Sequence, residues 1–169
     1  MRLQTQLLGL VGALGVLVVG FSAFNAVRDV VYIQDAAEIE LVAELSDTLV
    51  SAAGAFAVER GSTAGILGGG GQATPKQRET LAAARARADE LAGKTDSFLS
   101  DKSGRLHLKH PEDVDQWQAA REELQDYRQR VDAVIAAGST DNDPGLAGQW
   151  FGFITNEVIM RSAKIRSDA

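Results

Sequence analysis

Residues 41–67 read LVAELSDTLVSAAGAFAVERGSTAGIL, and this stretch decides the fold. Its apolar residues recur at spacings of three and four, which places them in one stripe along an α-helix. The stripe consists of Leu45, Leu49, Ala52 and Phe56 and continues through Thr63 and Leu67. Glu59 and Arg60 fall on the same line, which should face other helices. Because an unpaired buried ion is costly, we predict that Glu59 and Arg60 either satisfy each other or are satisfied by another group.

The length and composition indicate one ordinary domain plus an anchor. The chain has 169 residues, of which 45% are hydrophobic and 6% aromatic. The absence of cysteine excludes disulfides, thiolate catalysis and cysteine-based zinc sites. The net charge is −6 and the basic residues are scattered among acidic ones, so no nucleic-acid partner is predicted.

The N-terminal region predicts a membrane anchor. Residues 7–27 are almost wholly apolar and would span about 31 Å as a helix, against a bilayer core of roughly 30 Å. A cleaved signal peptide is the alternative, but its apolar core is usually shorter and ends in a clean Ala-x-Ala site. Arg2 precedes the span, whereas Arg28 and Asp29 cancel after it. We therefore predict that residues 1–6 are cytoplasmic, that 7–27 cross the membrane and that 28–169 lie outside.

The anchor is expected to continue into the first bundle helix, because no turn signal interrupts residues 28–58. Four glycines at positions 68–71 then end that helix, since glycine loses the most backbone entropy on becoming helical. Within the anchor, Gly9 and Ala13 form a small-xxx-small pair that would let two spans approach closely.

The second helix has a clear start and end. Thr74 is predicted to cap it, Pro75 to occupy its first position, Gln77 to complete a capping box, and Ser103 with Gly104 to close it. Its inner stripe has the same 3-4 spacing: Leu81, Ala84, Ala88, Leu91, Thr95 and Phe98. We interpret the opposite face as solvated: Arg78, Arg85, Arg87, Asp89 and Glu90.

The third helix is predicted to open at Pro111 and to stop at Gly138. Its stripe is Trp117, Ala120, Leu124, Tyr127, Val131 and Val134. Arg121 and Arg128 border that stripe, where a long side chain either reaches inward or extends to solvent.

The fourth helix is predicted to start near Leu146. It carries Trp150 and other apolar residues, then becomes polar through Arg166, and we expect it to be truncated before a second membrane span. Four helices with short connections and no strand alternation predict an all-α protein. The expected fold is an antiparallel four-helix bundle whose first helix continues an N-terminal transmembrane helix.

Motifs that would indicate an enzyme fail on inspection. Gly93-Lys94-Thr95 resembles the end of a phosphate loop, but it lies inside a helix without a preceding strand. Asp143 is followed by Pro144, which argues against a calcium loop there. His107 and His110 fit a hydrated loop better than a metal site. We predict no catalytic residue, no metal site and no cofactor. The protein is therefore not expected to be an enzyme.

The residues around Glu59 predict a binding site instead. Arg60, together with the hydroxyls of Ser62 and Thr63, offers several donors on the inward line, and a planar guanidinium suits small planar oxyanions. Arg128 would supply a second guanidinium with paired donors from across the bundle. The pocket would be lined by Trp150, together with Trp117 and Tyr127. The alternative is that Glu59 and Arg60 merely border a helix end, where Gly61 allows close packing.

The same residues resemble a known family. The stretch Glu59-Arg60-Gly61, within residues 56–65, resembles the Glu-Arg-Gly motif of nitrate- and nitrite-sensing (NIT) domains. Residues 127–132, YRQRVD, are similar to the later Arg-x-x-Val-Asp stretch of these domains, and residues 149–151 are similar to the aromatic start of their next helix. The similarity extends over about residues 41–165. The full family domain is longer and includes a second bundle.

The resemblance implies a sensor domain outside the membrane of a bacterial chemoreceptor, histidine kinase or diguanylate cyclase. In the family, arginines on facing helices hold the anion, which implies such a role for Arg60 and Arg128. We therefore expect a periplasmic sensor on the bacterial inner membrane, most simply a homodimeric chemotaxis receptor. It would bind a small ligand such as nitrate or nitrite and signal by helix movement.

A ligand-free bundle that dimerises or docks a periplasmic partner is the alternative. Unpaired arginines around a pocket would favour the sensor, whereas a Glu59–Arg60 pair sealed in a dry core would favour the structural role.

Overall fold

The computed structural model of this chain describes residues 38–102, 106 and 108–168. The predicted cytoplasmic segment 1–6, the predicted membrane span 7–27, the junction 28–37 and His107 lie outside the described residues. The described part of the chain forms helices joined by short connections. Its residues from Leu41 onward belong to one compact unit.

The first described helix, α1, comprises Glu38–Gly68. The residues of its predicted stripe are buried: Leu45, Leu49, Ala52, Phe56, Thr63 and Leu67. The helix ends in a paired glycine cap, in which Gly71 N–H donates to the Ile66 carbonyl at 3.0 Å and Gly70 N–H donates to Leu67 at 3.0 Å. Both glycines have positive φ, as this cap requires. The predicted glycine stop is confirmed.

The second and third helices, α2 and α3, comprise Pro75–Lys102 and Glu112–Ala137. At the start of α2, Thr74 N–H donates to Gln77 Oε1 at 2.9 Å, and Gln77 N–H donates to Thr74 Oγ1 at 3.2 Å. This reciprocal pair is the predicted capping box. Gly138 ends α3 with φ 65° and donates to the Val134 carbonyl at 2.9 Å. Both predicted boundaries are confirmed.

The fourth helix is interrupted by a π-helical segment, which the sequence analysis did not predict. It consists of α4 (Leu146–Phe153), the π-helix π1 (Ile154–Ile159) and α5 (Met160–Asp168). Wider π turns insert an extra residue into a helix and occur often at functional sites.

Contacts between the helices establish the antiparallel order. Between α2 and α3, Asp96 pairs with Arg121 and Asp89 pairs with Arg128, so the numbers fall along one helix as they rise along the other. The same reversed order joins α3 to the fourth helix in the pairs Gln116–Arg161 and Asp113–Lys164. The predicted all-α four-helix bundle is confirmed.

Candidate functional site

Glu59 is completely buried, and its partner is Arg128 rather than Arg60. Arg128 Nε donates to Glu59 Oε1 at 2.8 Å, and Nη2 donates to Oε2 at 2.7 Å. This fork-on-fork geometry is the strongest form of arginine–carboxylate contact. Of the two alternatives predicted for Glu59, the structure shows the second, because another group, Arg128, satisfies it from 69 positions away.

Arg128 holds a second carboxylate with its remaining amine. Its Nη1 donates to the two oxygens of Asp89 at 2.9 and 3.0 Å. Burial alone would lower the pKa of Arg128, but the hydrogen bonds to Glu59 and then to Asp89 outweigh it and raise that pKa above its ordinary value. Arg128 therefore stays charged and reaches inward from the border of the α3 stripe.

Arg85 also joins this group, which corrects the prediction that its face of α2 is solvated. Its Nη1 donates to Asp132 at 2.8 and 2.9 Å, and its Nε lies 3.5 Å from Glu59 Oε1. The inner positions Ala84 and Ala88 are small, which leaves room for long side chains beside them to fold inward. Arg87 and Glu90 do remain on the solvated face.

We call these five side chains the charge cluster: Glu59, Arg85, Asp89, Arg128 and Asp132. The cluster joins α1, α2 and α3 at one level of the bundle. Its three carboxylates and two guanidiniums leave a formal charge of −1.

Arg60 lies on the other side of α1, facing the fourth helix. Its Nη1 donates to Thr155 Oγ1 at 2.9 Å, and its guanidinium carbon lies 4.5 Å from the centre of the Phe151 ring. Arg60 is half-buried, its Nε is buried without a hydrogen-bond partner, and no carboxylate of the described residues pairs with it. Successive residues on a helix point about 100° apart, so Arg60 and Glu59 cannot face the same neighbour.

The remaining predicted site residues lie on α1 and α4: Ser62, Thr63 and Trp150. Thr63 is completely buried one turn beyond Glu59, and its Oγ1 has no hydrogen-bond partner. Ser62 is half-buried. Trp150 is completely buried one turn before the π-helix that contains Thr155, and its indole N–H is also unpartnered.

Buried polar atoms without a hydrogen-bond partner occur on both sides of α1, and they have one property in common. The unpartnered atoms on α1, on α4 and in the charge cluster are all able to donate: Arg60 Nε, Thr63 Oγ1, Arg85 Nε, Arg85 Nη2 and Trp150 Nε1. Buried donors cost free energy when they are left unsatisfied. What this part of the bundle lacks is an acceptor, and a small oxyanion is a compact source of several.

The surface grooves found among the described residues lie elsewhere. An apolar one runs between α1 and α5, a polar one lies beside Asp96 and Arg121, and a third lies along the fourth helix between Asn156 and Ser167; none of the three is lined by Arg60 or Arg128. His110, which the sequence placed in a hydrated loop, contacts Glu112 through Nδ1 at 3.1 Å. Within the described ranges, no group of three acidic or histidine side chains is arranged to hold a metal ion.

Comparison with known proteins adds one finding. The family model described as nitrate and nitrite sensing matches residues 51–151, which is more than half of the chain. The chain belongs to the nitrate- and nitrite-sensing family. The matched NIT region contains the whole charge cluster, Arg60 and Trp150, and it confirms the resemblance inferred from the Glu59-Arg60-Gly61 motif. No curated protein and no solved structure matches the chain. NIT domains serve signalling as sensors rather than as catalysts.

Proposed function

We propose that residues 28–169 form the extracytoplasmic sensor of a bacterial inner-membrane receptor, anchored by residues 7–27 and homodimeric, most simply of the methyl-accepting chemotaxis type. The ligand is a small planar oxyanion, nitrate or nitrite, held at Arg60. The observation that carries this proposal is the half-buried guanidinium of Arg60, which has an unpartnered Nε and no carboxylate among the described residues.

The orientation of Arg60 suits such a ligand. Thr155 holds Nη1, so the edge formed by Nε and Nη2 remains for an anion, and that edge is the one with which Arg128 grips Glu59. Phe151 lies against the guanidinium and fixes its plane. A planar oxyanion would then receive two parallel charge-assisted hydrogen bonds.

Arg128 enters this proposal through an exchange of partners. Its fork is occupied by the Glu59 carboxylate, which is itself a planar oxyanion. Arg85 Nε lies 3.5 Å from Glu59, and both Nε and Nη2 of Arg85 are unpartnered. The Nε and Nη2 donors of Arg85 therefore lie beside Glu59 without hydrogen-bond partners. If the Glu59 carboxylate moved to these donors, Arg128 would be free to bind a ligand oxygen.

Signalling follows if the anion favours one helix arrangement over another. Arg60 and Thr155 link α1 to the first turn of π1, and an anion bound at the Nε and Nη2 edge would reposition the guanidinium that makes this link. A shift of that link would alter how α1 is held against the fourth helix. Because α1 is proposed to continue the predicted anchor, it would be the element through which movement reaches the membrane.

The test is isothermal titration of the full chain in nanodiscs with nitrate, nitrite and chloride. Arg60→Ala removes a charge-assisted contact of about 1.5–3 kcal/mol, so nitrate affinity should fall by roughly 10- to 100-fold. Arg87→Ala is the matched control, because Arg87 is exposed and pairs only with Glu90. Unchanged binding in Arg60→Ala would remove the site assignment. Absence of heat with every anion, in a folded protein, would favour the ligand-free bundle.

A further inference from the structure

The solvent-facing side of α1 carries no charge over its last five turns. Its exposed residues there are Val50, Ser51, Gly54, Val58, Gly61, Gly65 and Gly68. The two charged residues in this stretch, Glu59 and Arg60, contact other helices of the bundle. Of the helices described, α1 is the one long and apolar enough to cross a membrane, yet only 28% of its most apolar window is buried in the bundle. A helix surface exposed to water normally carries charged or polar side chains.

The fourth helix extends the same apolar face. The exposed large hydrophobic residues of the described chain all lie on α1 or the fourth helix: Ile39, Val50, Val58, Phe151 and Met160. These helices are neighbours, and a groove of about 350 Å³ runs between them. It is lined by Leu49, Val50, Ala53, Gly54 and Ala57 on one side and by Ile159, Ser162, Ala163 and Arg166 on the other. The outer face of α2, by contrast, carries the ion pairs of Glu90 with Arg87 and Lys94.

The glycines of α1 have no purpose within the chain. A methyl group built on Gly54, Gly61 or Gly65 would meet no atom within 4 Å. Glycine inside a helix is less stable than alanine, so three such positions weaken α1 without improving any packing in the bundle. Small residues on a helix face allow the backbone of a second helix to approach closely.

We propose that this face, centred on α1, is the interface with a second copy of the chain. The exposed positions Ser51, Gly54, Val58, Gly61, Gly65 and Gly68 recur at spacings of three and four, as a coiled-coil seam requires. In a two-fold pair each residue meets its own counterpart or a near neighbour, so a row of small residues is complementary to itself. The orientation rests on the proposed anchor, because two copies held in one membrane present α1 in the same direction.

Charge limits where the two helices touch. Glu44 and Asp47 continue the seam toward the membrane, and like charges repel in a parallel pair. Contact is therefore confined to the distal half of α1.

The contact area agrees with a tethered dimer. Residues 51–68 extend about 27 Å along the helix. A specific interface buries at least about 1,000 Å² in total, and the adjoining fourth helix would add to the area that α1 supplies. Confinement to one membrane raises the effective concentration and allows a contact of this size to persist.

The chain has no cysteine, so single-cysteine variants report contacts directly. The full chain would be reconstituted in liposomes without nitrate and treated with an oxidant. Val58→Cys and Gly61→Cys should form covalent dimers, whereas Ala133→Cys on the exposed face of α3 should remain monomeric. Adding Gly61→Leu to Val58→Cys should reduce the dimer at least about tenfold by blocking close approach. Gly93→Leu on α2, where space is also open, is the matched control and should leave it unchanged.

Absence of dimer at both seam positions in folded protein overturns the proposal, as does equal cross-linking at Ala133. An adduct of any other mass would assign the face to a different partner and also overturn it. Because no anion is present, cross-linking that survives in Arg60→Ala separates the interface from the proposed ligand site. Failure of nitrate binding with intact dimers would reject only the ligand.

Discussion

Arg128→Met should destabilise the bundle strongly, because it removes both hydrogen bonds of the buried Glu59 and leaves it only the longer contact with Arg85. The methionine keeps much of the apolar stem but removes both bonds to the completely buried carboxylate. The nearest remaining cation is Arg85, whose Nε is 3.5 Å away. Removing one partner of a buried ion pair costs about 3–5 kcal/mol. Asp89 also loses its contact, but its side chain is half exposed, so that term is at most about 1 kcal/mol.

The loss of folding free energy in Arg128→Met should appear as a fall in Tm of roughly 10–20 °C for a domain of this size. Glu59→Leu should cost less, because the remaining guanidinium of Arg128 still has Asp89 as a partner. The double variant Glu59→Leu/Arg128→Met should recover to within about 2 kcal/mol of the parent, since apolar residues often replace a buried pair at little cost. Rescue by a second substitution is the signature of this arrangement.

The assay is thermal unfolding of the full chain in detergent, followed by circular dichroism at 222 nm and analysed as a double-mutant cycle. Arg87→Met is the control for loss of an exposed arginine and should change Tm little. If Arg128→Met lies within about 1 kcal/mol of the parent, Glu59 is not a buried charge that depends on Arg128. If the two single effects simply add in the double variant, the pair is not coupled, and the reasoning fails.

Two further predictions concern the glycine cap and the acid stability of the bundle. Gly71→Ala should destabilise by more than Gly70→Ala: both have positive φ, costing about 1–2 kcal/mol, but only at Gly71 would the methyl meet Val134 Cγ1, at 2.8 Å. Equal losses of Tm would refute this difference. The hydrogen bond from Lys164 holds the pKa of Asp113 below its usual value, so its stabilising effect is present at neutral pH and is lost as the pH falls through that lowered pKa. Lys164→Met should therefore flatten the fall in Tm between pH 5 and pH 2, measured by the same dichroism signal, and an unchanged slope would contradict the assignment.

Features that depend on a few neighbouring residues were predicted well. The capping box of Thr74 and Gln77, the glycine stop after α1 and the stop at Gly138 each involve atoms within about five positions of one another. The 3-4 stripes placed most core residues correctly, because helical periodicity is itself a local property.

The charge cluster shows where such reasoning ends. Periodicity placed Glu59 inside the bundle but suggested its neighbour Arg60 as the partner, whereas Arg85 and Asp89 were assigned to water. Arginine side chains are long enough to act away from the face on which their Cα lies, and the small residues Ala84 and Ala88 give them room. Their small size beside charged residues was the signal that could have found them. The π-helical segment had no comparable local mark.

The amino-acid sequence by itself determined four amphipathic helices, the end of α1, the start of α2, the end of α3 and the burial of Glu59, since each follows from side chains close together along the chain. Tertiary structure alone decided that Arg128 satisfies Glu59 and that Arg60 turns to Thr155, across separations of 69 and 95 residues. Charge pairing depends on which side chains reach the same height of the bundle. That height is set by how the helices pack, and not by any spacing within one of them.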